Sequence, residues 1–297
     1  MAYRFDIGQP VQAQVHRVAR EQIDKALKEI ADEQLDRHEA VHQVRKRCKK
    51  LRGLLRLVRG SLSDPDAYSF ENGYFRDAAR SLSALRDAEA LIEAYDKLLN
   101  GCDAGTDVRR LSCIRDGLVS HKQRISRETQ DLAEALSTFA GKMEESRSRI
   151  DIWRLDTDGY EAVAYGLKKT YGRGRRAMEQ AYDEPCCETF HEWRKRVKYH
   201  WYHCRLLRNV WRPVLKARVD ELDRLATLLG DYHDLDVLRS QVERMAGQTD
   251  PQARDRLGAI MDERQQQLRN EAHPLGAKLF AEKSKHLCRR VECFWNA

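Results

Sequence analysis

Between His42 and Arg59 the chain reads HQVRKRCKKLRGLLRLVR, eight Lys and Arg side chains and not one carboxylate. Like charges three and four positions apart on a helix repel, and a helix that needs only solubility interleaves Glu with Lys. The segment Glu21–Glu29, EQIDKALKE, does that. At 42–59 the balancing negative charge has to come from outside the helix. At about 100° per residue, His42, Arg45, Lys46, Lys49 and Arg56 fall within a wedge of roughly 100°, with Arg52 just off its edge. Val41, Val44, Cys48, Leu51, Leu55 and Val58 form a separate apolar stripe that should face inward.

The same chemistry recurs 149 residues later. His191–Arg208 reads HEWRKRVKYHWYHCRLLR and sets His191, Arg194, Lys195, Lys198, Arg205 and Arg208 on His42, Arg45, Lys46, Lys49, Arg56 and Arg59. Arg86-Asp87 in LSALRDAEAL likewise answers His233-Asp234 in LLGDYHDLDVL. Two such helices, each followed by a matching helix, mark an internal repeat with halves at about 9–150 and 157–297. Arginine forks onto phosphate oxygens with parallel donors and lysine acts as a point charge, so rows of both suit a linear phosphate polymer. A second tier of cations lies at Lys168, Lys169 and YGRGRR, where Arg173 and Arg176 are candidates and Gly172 and Gly174 allow close approach.

His42 and His191 carry three readings. Each starts or packs its helix, each donates to phosphate as imidazolium, or the two share a metal across a twofold axis. Neither helix supplies the second His or carboxylate of a local metal site, and no metal or other cofactor is expected. The eight cysteines show no CxxC pair and read as reduced thiols.

The elements that position these residues are helical throughout. Apolar residues recur at three-four spacing from Pro10 to about Leu35, through the basic stretch to Gly60, from Pro65 to Leu99, and from about Asp107 to Arg149. After Asp156-Thr157-Asp158-Gly159 four more helices are expected, at about 160–182, 185–210, from Pro213, and from Pro251 to the C-terminus with a kink at Pro274. No segment alternates with period two. The spacing predicts an all-α chain of eight helices.

The paired His-x-x-Arg-[Lys/Arg]-x-x-Lys helices, each with its following leucine-rich helix, resemble the CHAD family, an α-helical domain with histidine signatures. The resemblance spans about residues 9–290 and implies one domain of two pseudo-symmetric four-helix bundles, with a basic cleft or pore between them. It also implies non-catalytic binding of inorganic polyphosphate and association with polyphosphate granules. Some relatives carry a triphosphatase domain, and none is expected within these residues. Two departures stand out: Tyr199, His200, Trp201 and Tyr202 replace Lys50, Leu51, Arg52 and Gly53, and His233 stands where Arg86 does, so an arginine role there transfers only to Arg86.

A net charge of +7 over 297 residues agrees with a polyanionic partner. No run reaches the roughly 18 apolar residues of a membrane span, and MAYRFDIGQP lacks a signal-peptide core, so a cytoplasmic location is expected. RNA is the second candidate partner, and Trp193 and Trp201 are the rings that would stack on bases. A phosphohydrolase is the third reading. It lacks a P-loop, a clustered acidic metal site and a placed nucleophile.

Overall fold

The computed structural model describes residues 3–101, 108–128 and 132–297, apart from the side chains of a few residues, 83–86 among them. Eleven α-helices are found among them: α1 (Val11–Ala31), α2 (Arg37–Val58), α3 (Ala67–Arg80), α4 (Ser83–Asn100), α5 (Val108–Glu128), α6 (Leu132–Arg149), α7 (Glu161–Asp183), α8 (Cys187–Leu206), α9 (Arg212–Arg244), α10 (Pro251–Leu279) and α11 (Ser284–Trp295). Extended pairing among the described residues is limited to one isolated bridge, Leu62 to Leu155, which ties the end of α2 to the linker between the halves. Local chemistry starts the helices where expected. The Asp36 carboxylate accepts from the backbone N–H groups of His38 and Glu39 at 2.9 and 3.1 Å, satisfying two of the donors that a helix start leaves open. Asp250 does the same for Gln252, and prolines sit in the first turns of α9 and α10, where no donor is lost.

Two runs expected as single helices are divided, the first, from Pro65, at Ser81-Leu82, while the run from Asp107 is described as α5 and α6 with residues 129–131 between them outside the described residues. The C-terminal run passes through Pro274 without ending and stops instead at Phe280. There the ring turns inward and stacks on Tyr171 at 5.3 Å, in a space that a Cβ on Gly174 would fill, so burial of one aromatic ring ends the helix. Shifting α1 and α2 by 149 residues gives 160–180 and 186–207, against 161–183 and 187–206 for α7 and α8. From Arg86-Asp87 to His233-Asp234 the offset is 147. The first half therefore carries two extra residues between Arg59 and Arg86, and the matching helix of the second half, α9, runs unbroken for 33 residues.

Helix α2 is central: it packs against α1, α3, α7 and α8. Its apolar stripe is buried as the spacing requires, Val41, Val44, Cys48, Leu51, Leu55 and Val58 all being at most 1% exposed. Helices α1, α2, α3 and α6 pack together, as do α7, α8, α9 and α11. The pair α4–α5 crosses over to pack on α9 and α10, so the halves share helices rather than closing separately.

Two glycines set how closely the neighbours approach α2. A Cβ on Gly166 of α7 would lie 1.9 Å from the Leu57 carbonyl oxygen and 2.4 Å from that of Arg56. A Cβ on Gly53 would lie 2.8 Å from Cβ of Tyr202 on α8. Gly53 and Tyr202 are repeat equivalents, so the twofold contact between the halves is made by a missing side chain on one side and a large one on the other. Gly166→Ala must push two backbones apart and should cost about 3 kcal/mol or more, at or beyond the upper end for overpacking. Gly141→Ala, at an exposed position with nothing within 4 Å, should stabilise by about 1 kcal/mol through helix propensity. Chemical denaturation of the two variants beside the parent checks both signs.

Candidate functional site

Around the Gly53–Tyr202 contact, the cationic faces of α2 and α8 come together as one seam. Lys49 lies within electrostatic range of Arg45 on its own helix and of Arg194 and Lys198 on α8. Lys198 in turn feels Arg194, Arg205 and Lys46. Lys50, 7% exposed, is ringed by Arg47, Arg205, Lys46 and Lys25. Arg56, also 7% exposed, lies near Arg52 and Arg196, and Arg173 of α7 joins the same end beside Arg196 and Arg59. Carboxylates are few here. Among the described residues, Asp87 pairs with Arg45 at 3.4 Å, Asp223 with Lys198 at 3.8 Å, and Glu192 with Lys195 and Arg196. No carboxylate stands within 4 Å of Lys46, Lys49 or Lys50 among the described residues.

Aromatic rings take part of the role of counter-charge. The Arg56 guanidinium lies 3.9 Å over the Tyr199 ring and Arg59 lies 4.1 Å over Tyr68. Trp201 carries Lys198 at 4.1 Å and Arg205 at 4.5 Å, and Tyr3 carries Lys50 at 5.8 Å and Arg205 at 5.6 Å. A ring face attracts a cation without cancelling its charge. Crowding then appears in the titration of the lysines. Loss of water, reinforced by Arg45, Arg194 and Lys198 and opposed by Asp87, pulls the Lys49 ammonium down to about 8. Burial, with Arg47 and Arg205 beside it, takes Lys50 to about 7. Lys198 and Arg173 are lowered too, burial leading in both.

The chain matches the model of the CHAD domain over residues 17–243. It belongs to the CHAD domain family. Among solved structures it is similar to the CHAD domain from the plant Ricinus communis, with 17% identity, 96% of each chain covered and a TM-score of 0.62. It is also similar to PptA from Streptomyces chartreusis, with 14% identity, 92% of this chain and 100% of that chain covered, and a TM-score of 0.63. No curated protein matches it. At these identities the structures share the fold, and the residues of this chain must carry any statement about its site.

Of the cations singled out by spacing, this CHAD domain brings Arg45, Lys46, Lys49, Arg52, Arg56, Arg173, Arg194, Lys198 and Arg205 to the seam or its margins, while Lys195 lies on Glu192 beside His191 and His233. Arg52 leans toward α3, where its Nε donates to Asn72 Oδ1 at 3.2 Å. Lys168 and Arg176 are not brought there. Lys168 lies in range of Cys288 on α11, and the Arg176 guanidinium lies beside Gly172, next to Ser284 at the start of α11. Twenty-three residues of helix turn through all directions, and only Arg173 of that basic run points to α2 and α8. The side chain of Arg86 lies outside the described residues. His42 is half-buried on α2.

His191 does not stand alone. Its Nδ1 lies 3.2 Å from Nδ1 of His233 on α9, so one ring donates and the other accepts. Burial, then His191, Arg194 and Lys195, brings His233 down to about 4, and burial with the same two cations lowers His191. This arrangement holds the pair neutral near pH 7. Among the described residues no three His, Cys, Asp or Glu side chains are grouped to hold a metal ion.

Two members of the CHAD seam escaped the spacing argument. Lys50 sits about 100° around the helix from Lys49, outside the cationic wedge, and reaches the seam because Gly53 lets α8 approach. Arg196 was obscured by Glu192, one turn away on its own helix. Neither position carries a signal that a single helix would reveal.

Lys50 makes the crowding measurable. The unfolded chain holds the Lys50 proton up to its ordinary pKa of 10.5, while the folded chain releases it above about 7. The unfolded state therefore binds more protons in between, and stability should rise with pH from about 7 to about 10. Urea unfolding at a series of pH values should show the parent gaining relative to Lys50→Met over that window, and parallel curves would refute the assignment.

Proposed function

We propose that this CHAD domain binds inorganic polyphosphate without catalysing its turnover, along the seam between α2 and α8. The observation that carries the reading is the convergence of two same-sign helix faces in which Lys46, Lys49 and Lys50 meet no carboxylate among the described residues. Linear polyphosphate offers repeated equivalent oxygens and no bases to read. Rows of Arg and Lys one helical turn apart match a repeated charge, and the arginines add forked donors. His42, Arg45, Lys46, Lys49, Arg52, Arg56, Arg173, His191, Arg194, Lys195, Lys198 and Arg205 are the proposed contacts, with Lys50 added to them. The acids at the margin hold Arg45, Lys195 and Lys198 in place and leave the centre positive.

RNA is the competing partner, since charge alone attracts it. Trp193 is fully buried against Tyr182 and Phe190, and Trp201 already carries two cations, so neither ring is a bare platform for a base. Polyphosphate, single-stranded RNA and duplex DNA compete at equal phosphate concentration over a salt series in the deciding experiment. Polyphosphate should displace both nucleic acids, and an RNA that wins would replace this reading. Phosphate release with added Mg²⁺ or Mn²⁺, abolished by changing one carboxylate, would establish hydrolysis instead.

The variant to make is Lys46→Gln with Lys49→Gln, because neither lysine has an ion-pair partner to lose among the described residues. Affinity should fall on the order of tenfold near 0.1 M salt, and the slope of log affinity against log salt should shrink by about one to two. The same variant should be at least as stable as the parent, since it relieves like-charge contacts. A variant that unfolds would show these lysines to be structural.

A further inference from the structure

Away from the seam, α7, α8, α9 and α11 enclose a cavity of about 220 Å³. Its walls are apolar: Leu167, Leu207, Leu215, Leu287, Val291 and Phe294. The more exposed Val214 and Phe294 mark its mouth, and Trp211 stands against Phe294 with ring centres 4.5 Å apart. Native cores leave few voids of this size, and an apolar void large enough for a ligand stays dry and takes up small apolar molecules. By proportion to a cavity of about 150 Å³ that admits benzene, this one accommodates a chain of about eight carbons.

One charged group on the lining is held in an unusual way. Arg218 donates from Nε to His200 Nε2 at 3.2 Å and from Nη2 to the Leu279 carbonyl oxygen at 2.7 Å, with the Tyr171 ring 5.6 Å away. All three partners are neutral, because His200 is fully buried and burial drives its imidazole well below the ordinary range. No carboxylate lies within 4 Å of Arg218 among the described residues. The other cation of the lining, Arg290, is already paired with Glu282 at 2.6 Å. A half-buried guanidinium oriented by neutral acceptors at the edge of an apolar cavity keeps a positive charge that an anion can pair with, and the cavity has room for that anion's hydrocarbon tail.

We infer that this cavity is a binding site for a linear monocarboxylate of medium chain length, its carboxylate on Arg218 and its tail among the leucines. The site is independent of the polyanion seam, since it is built on other faces of α8 and on helices of the second half.

Sodium octanoate, octan-1-ol and octylamine are the probes, titrated calorimetrically into the full chain. Octanoate should bind saturably at one site, and octylamine should not. In Arg218→Gln, which keeps a donor for His200, octanoate should bind at least tenfold more weakly while octanol is little changed. Val214→Phe, which fills the mouth, should abolish binding of both. Circular dichroism establishes that each variant is folded. If Arg218→Gln does not fold, the probe series on the parent and Val214→Phe still decide. Octanoate that gives no saturable heat, binds equally to Val214→Phe, or is matched by octylamine would overturn the assignment.

Discussion

Two helix faces of the same charge are held against each other, and the rest of the molecule is arranged to permit it. Repulsion between surface charges a few ångströms apart is worth about 1 kcal/mol in water and more where protein displaces the solvent. The cationic faces of α2 and α8 carry several such contacts. What opposes them is apolar burial on the opposite side of each helix: the α2 stripe is almost wholly removed from water, and on α8 Phe190, Trp193, Val197 and Leu206 are equally buried. Each large side chain buried in this way contributes about 1.5–3 kcal/mol. The core therefore outweighs the seam, and the repulsion that remains shows in Lys49 and Lys50, which give up their protons at lower pH than an ordinary lysine.

The contact at Gly53 and Tyr202 brings together two positions that the 149-residue offset makes equivalent, and two large side chains would collide there. One half dispenses with the side chain and the other supplies a tyrosine. From this asymmetry follows a difference in how charge is handled. On α8, Lys195 and Arg196 lean on Glu192, Lys198 is near Asp223, and Tyr199 and Trp201 present rings. On α2 only Arg45 among the cations of the wedge has a carboxylate partner among the described residues. The α8 half supplies Tyr199, Trp201, Glu192 and Asp223, the α2 half adds Tyr3, Tyr68 and Asp87, and the lysines without a carboxylate within 4 Å among the described residues lie on α2.

Much of this was legible in the sequence because it follows from periodicity. The helical class, the repeat and the separation of the apolar stripe from the cationic wedge rest on spacing alone, and α2 and α8 end within one or two residues of repeat register. What periodicity does not encode is direction relative to other helices. Lys168 and Arg176 share a basic run with Arg173 yet turn toward α11, and Lys50 looks like a flank until α8 is placed beside it. Breaks were hidden for the same reason. Ser81-Leu82 carries no proline or glycine, and the stop at Phe280 is caused by a tertiary stack on Tyr171, whereas Pro274 lies inside a helix that continues through it.

The choice of rings over carboxylates at the seam bears on what it can do. A carboxylate beside Lys49 or Lys50 would raise the lysine's pKa and stabilise the fold, but an incoming anion would then have to displace it. A ring holds the cation by its quadrupole and leaves the charge available. Lys50 and Arg56 are largely removed from water beside these rings while Lys46 and Lys49 stay exposed, so an arriving anion would meet cations in both settings and would lower their mutual repulsion. Binding energy and relief of folding strain then have one source. The burial that makes such a seam costly also holds its cations in fixed positions, which is what the proposed binding would use.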